Sequence, residues 1–65
     1  MTKKEFSAKI LKCSDQHWRY ILAGERNLGL RRAKLVAQLL STSLEVWIDP
    51  EKTTERQRAW EKFNQ

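Results

Sequence analysis

Gln16, Arg19 and Tyr20 stand three and four residues apart, the spacing at which side chains share one face of an α-helix. Their chemistry is edge recognition rather than catalysis. A glutamine amide donates and accepts side by side, so it pairs bidentately with an adenine edge, and an arginine guanidinium does the same with guanine. Tyr20 can stack or bond to a phosphate, and it can equally pack against Leu28. Ser14, Asp15 and His17 lie near the start of the same stretch. His17 can read a base or a phosphate, with a charge that changes near neutrality, or be an ordinary surface histidine. Asp15 can accept from cytosine, but a carboxylate there more commonly supports the helix dipole.

Catalytic constellations are absent. The chain has one histidine, one cysteine and no Gly-rich phosphate loop, Gly-x-Ser-x-Gly motif or metal-spaced cluster. Its eight carboxylates are scattered among basic residues. No catalytic residue, metal ligand or cofactor is therefore assigned, and neither enzyme activity nor a small-molecule substrate is expected. Cys13 alone forms no internal disulfide and suits a reducing, cytoplasmic setting. Its commoner use is as a small buried hydrophobe; a redox-sensing thiol is the rarer one. No run of eighteen apolar residues exists, so no membrane partner is expected, and no signal peptide is read at the N-terminus.

The net charge of +5 is unevenly spread. Residues 1–34 hold nine Lys and Arg against three Asp and Glu, a net +6, whereas residues 35–65 hold four against five, a net −1. A concentrated basic surface draws phosphate backbones through counterion release. Basic charge also serves solubility alone, and Arg31, Arg32 and Lys34 by themselves read as a solvated face.

The elements that must position these side chains are short helices. Thr2 and Glu5 have capping-box spacing, and Phe6, Ile10 and Leu11 follow, which predicts a helix over about 3–11. Ser14 is a good N-cap for a second helix to about Ala23, with Trp18, Ile21 and Leu22 inward and Gly24 closing it. After a loop at 25–29, Leu30 to Leu40 is amphipathic. Ala33, Val36, Ala37 and Leu40 form its apolar face, widened by Leu35 and Leu39, and Ser41 ends it. Thr42 and Glu45 suggest another capping box, opening a helix through Ile48. Asp49-Pro50 starts a last helix over 51–63, with Arg56, Ala59, Trp60 and Phe63 at helical spacing. The expectation is one all-α domain over 1–65, a compact bundle of about five short helices.

Two short helices joined by a tight turn resemble a helix-turn-helix unit over about 3–23. The stretch from Ala8 to Ser14, the positions of Trp18 and Ile21, and Ile21-Leu22-Ala23-Gly24-Glu25-Arg26 are similar to the Cro/lambda-repressor-like (XRE-type) family. The helix from Ala33 to Leu40 and the run from Ser43 to Trp47 match its downstream pattern, so the resemblance covers roughly 3–48. Two departures stand out. Lys12 replaces the turn glycine, and the usual first helix is missing or shortened. The C-terminal helix then either covers the core in its place or forms a dimer element.

The resemblance implies sequence-specific binding of double-stranded DNA by a phage-type or bacterial transcriptional regulator, expected to be a homodimeric repressor. The second helix would enter the major groove, with Ser14, Gln16, His17, Arg19 and Tyr20 as base-contacting candidates. Lys3, Lys4, Lys12, Arg26, Asn27 and Arg31 are the phosphate-contacting candidates, with Arg32 an alternative to Arg31. The rival reading is a helical protein-interaction module or antitoxin-like partner-binding regulator. It would use exposed Trp47, Trp60 and Phe63, although large aromatics in a short chain are more commonly core.

Overall fold

The computed structural model describes residues 1–65 and is entirely helical and turn. Helix α1 (Lys3–Phe6) runs directly into a π-helical turn, Ser7–Leu11. Then follow α2 (Asp15–Leu22), α3 (Leu30–Leu39), α4 (Glu45–Ile48), a 3-10 turn (Pro50–Lys52) and α5 (Thr53–Phe63). No helix is long and apolar enough to cross a membrane.

The predicted start of α1 forms as a full capping box. The Thr2 hydroxyl accepts from the Glu5 amide at 3.1 Å, and the Thr2 amide donates to the Glu5 carboxylate at 3.3 Å. The π turn was not foreseen. Its wider winding brings residues five apart toward one face, so both Phe6 and Leu11 reach the interior. The buried Ser7 hydroxyl donates to the Lys4 carbonyl at 3.0 Å. Lys12 then takes the left-handed conformation, φ 53° and ψ 45°, that the turn position requires.

Fourteen apolar residues form one core. At its centre lies an aromatic cluster drawn from four helices. Trp18 sits 4.9 Å from Phe6, 5.5 Å from Trp60 and 5.7 Å from Trp47, measured between ring centroids. Each such ring, removed from water, contributes about 1.5–3 kcal/mol. The cluster accepts one cost, because the buried Trp18 indole N–H has no partner. Trp60 on α5 also meets Phe6 edge-on at 5.1 Å, so α5 closes the core over α1 and α2.

Three local expectations need correction. No capping box forms at Thr42. Its hydroxyl instead accepts from the Trp47 indole at 2.7 Å, a buried donor with a stronger claim on it. The last helix opens as a 3-10 turn, with Asp49 capping the Glu51 amide at 3.0 Å, and becomes α-helical only at Thr53. Leu35 and Leu39 do not widen the buried face of α3. They remain 39% and 40% exposed, because the buried side of α3, which packs on α4, is made by Ala33, Val36 and Ala37.

Candidate nucleic-acid interface

Trp18, Ile21 and Leu22 bury one side of α2 and thereby fix which side chains face out. Ser14 sets where the helix begins, its hydroxyl accepting from the His17 amide at 3.1 Å. Gln16 and Tyr20 form the outer ridge, and the Gln16 amide donates to the Tyr20 hydroxyl at 2.8 Å. Tyr20 thus points along its own helix, while Leu28 is buried separately.

Ser14, Gln16, His17, Tyr20 and Arg26 line one open groove on one flank of this ridge. No carboxylate lines it, although Glu25 stands beside Tyr20 and Arg26 in the adjoining depression. His17 is half-buried.

Arg19 lies elsewhere. It joins Lys3, Ala23, Gln57 and Glu61 in a second groove, on the flank of α2 that faces α1 and α5. Its Nε is 3.1 Å from Asp15 Oδ2, the single ion pair in the molecule. Four of the five base-contacting candidates are therefore brought together, and Arg19 stands apart. Asp15 supports the helix start and holds Arg19.

Lys3, Lys4, Lys12, Arg26, Asn27 and Arg31 are all exposed. Arg31 lines a surface with Leu30, Lys34, Leu35 and Gln38, on the side of α3 turned away from the core. Arg32 is the residue beside the turn, since its charge acts on Cys13. Partial burial pushes the Cys13 thiol up from its ordinary value, and Arg32 pulls the other way. Sequence spacing treated the two arginines as equivalents. The i,i+3 relation of Arg32 to Leu35, against that of Arg31 to Lys34, does not separate them.

The loop between α2 and α3 is fixed from several directions. Gly24 has φ +81°, and a Cβ there would collide with the Thr53 hydroxyl, so only glycine fits. The Glu25 and Arg26 amides donate to the Tyr20 carbonyl at 3.0 and 3.3 Å, and the Leu28 amide donates to the Trp47 carbonyl at 3.2 Å.

Arg56 provides the remaining ties and was missed as a key residue. Its guanidinium is buried, and its Nε donates to the Val46 carbonyl at 2.6 Å. Nη1 donates to the Ile21 and Arg26 carbonyls at 2.6 and 3.1 Å. Nη2 donates to Asn27 Oδ1 at 2.8 Å and to the Asp49 carbonyl at 3.2 Å. The ring of Trp47 lies below it, 5.9 Å from the guanidinium carbon. Burial lowers the Arg56 pKa, opposed by the nearby Asp49 charge. A charged residue on the apolar stripe of the last helix was the available signal.

Trp47 and Trp60 are 0% and 9% exposed, which leaves Phe63, at 37%, as the exposed member of that aromatic set. No group of His, Cys, Asp and Glu is arranged to hold a metal ion. Comparison with family models, curated proteins and solved structures finds no match to this chain.

Proposed function

We propose that this protein binds double-stranded DNA sequence-specifically, as a transcriptional repressor of the Cro/lambda-repressor-like type working in the cytoplasm. Residues 3–11 and α2 act as the helix-turn-helix, with α2 in the major groove. The observation that carries the reading is the carboxylate-free groove of Ser14, Gln16, His17, Tyr20 and Arg26 along the outer ridge of a firmly anchored helix. An eight-residue helix is ~12 Å long, which suits a major groove ~12 Å wide.

Gln16 is the first candidate for a bidentate base contact, and Tyr20 and His17 flank it. Arg19 reads a guanine once it releases Asp15. Lys3, Lys4, Lys12, Arg26, Asn27, Arg31 and Arg32 supply the phosphate contacts that orient the helix. One copy extends 24 Å at most, less than the ~34 Å between successive major-groove faces, so a homodimer on a two-fold site is the natural functional form.

The test is selection from a pool of random duplex DNA, read by sequencing, at two salt concentrations. Enrichment of a short palindrome, with affinity falling steeply as salt rises, is the expected result. Salt-sensitive binding with no enriched sequence defeats the proposal.

A further inference from the structure

Asn27 meets Arg56 in a way that settles the chemistry of its free end. A guanidinium carries only donors, so an asparagine amide can pair with it only through oxygen. Oδ1 is therefore committed to Arg56, at 2.8 Å. The amide nitrogen, Nδ2, makes no hydrogen bond within the chain, and Asn27 is exposed. Its neighbour Arg26 lines the groove on α2, and the Arg26 carbonyl is held by the same guanidinium at 3.1 Å.

We infer that Arg56 is a positioning residue that makes Asn27 a donor-only contact for a DNA phosphate oxygen at the edge of the α2 groove. This inference rests on the DNA-binding reading above. A free asparagine offers donor or acceptor according to its rotamer, and half of those orientations repel a phosphate. Arg56 removes the wrong one before binding, and its charge, which no carboxylate neutralises by an ion pair, polarises the amide and strengthens the remaining donor. Phosphate oxygens accept and never donate, so a fixed Nδ2 beside the cation of Arg26 matches them. Arg56 thus couples α5 to α2, through the Ile21 carbonyl, and to the loop side chain of Asn27.

Asn27→Asp tests this, because the carboxylate is nearly isosteric and pairs with Arg56 while presenting oxygen to the DNA. Affinity for the selected duplex should fall by about tenfold or more, while the thermal midpoint stays level or rises because the Arg56 bond is now charge-assisted on both sides. Gln65→Glu changes net charge equally at the far end of α5, and its affinity should stay within about twofold of the unaltered protein. Asn27→Asp binding as well as Gln65→Glu overturns the inference and leaves the DNA reading standing. A lowered thermal midpoint for Asn27→Asp overturns the Arg56 pairing on which it depends. If the unaltered protein binds no duplex, the DNA reading fails and takes this inference with it.

Discussion

Arg56 and Asn27 are separated by 29 residues in sequence and by 2.8 Å in space. That bond is one of five, and the five N–H donors of the guanidinium all find acceptors. Four of those acceptors are backbone carbonyls, which link the end of α2, the loop, α4 and the segment before α5. The residue ties together a place where several chain segments end and turn their carbonyls inward.

Arg56→Lys leaves at least two of those five hydrogen bonds unmade, because an ammonium offers three hydrogens from one point. Each lost bond to a charged donor costs about 1.5–3 kcal/mol, so a loss of about 3 kcal/mol is expected. For a domain of this size that lowers the thermal midpoint by roughly 10–20 °C. Circular dichroism melting checks it, and a change of only a degree or two would show that the five bonds carry little of the fold.

Lys12 is strained where Gly24 is not. Lys12 holds φ 53° with a side chain attached, and Lys12→Gly is expected to gain roughly 0.5–1 kcal/mol of stability. The same change deletes a cation from the turn, so DNA affinity should fall and its logarithmic salt slope should shrink by about one. Stability and binding move in opposite directions. Urea denaturation and a salt titration together would expose an error in either half.

The helix starts were legible because caps are local. Thr2 with Glu5, Ser14 before α2 and Asp49-Pro50 each solve a hydrogen-bonding problem within three residues. Gly24 was legible for the same reason, as the left-handed end of α2. What escaped was set by distant contacts. The Thr42 hydroxyl is claimed by an indole five residues on. Leu35 and Leu39 stay partly exposed because Ala33, Val36 and Ala37 fill the buried side of α3, a choice of partner face that periodicity does not encode. Gln16 and Arg19 looked like one reading set because they share a helix face, yet Asp15 draws Arg19 to the opposite flank. The π turn followed from Phe6 and Leu11 both needing the core, five residues apart.

The Asp15–Arg19 pair is expected to restrain DNA binding. Asp15 is an acidic group in the first turn of the helix proposed to enter the groove, and it holds the guanidinium proposed to read a base. Asp15→Asn keeps the side-chain shape and removes the charge. Affinity should rise several-fold for all sequences, with a further gain where a guanine meets Arg19. The folded state should lose about 0.3–1 kcal/mol, because the negative charge at the start of α2 also serves the helix dipole. Binding measured on matched and mismatched duplexes separates the two effects. Unchanged affinity on both would mean that Arg19 does not face DNA.

Acid should loosen the first helix in a defined window. The Glu5 carboxylate accepts from the Thr2 amide and hydroxyl, and these bonds hold its pKa below the ordinary 4.5, with Lys9 and the N-terminus adding to the effect. A carboxylate whose folded pKa is depressed contributes stability above its unfolded pKa and loses it as pH falls through the folded value. The contribution is thus intact at neutral pH and disappears below 4.5. Glu5→Gln keeps an oxygen for the Thr2 amide but no longer titrates. Its stability should therefore fall less steeply than that of the unaltered protein as pH drops from neutrality to below 4.5, where the depressed Glu5 carboxyl takes up its proton. Denaturation midpoints across that range decide the matter. Two parallel curves would mean that the capping box forms without selecting the ionised carboxylate.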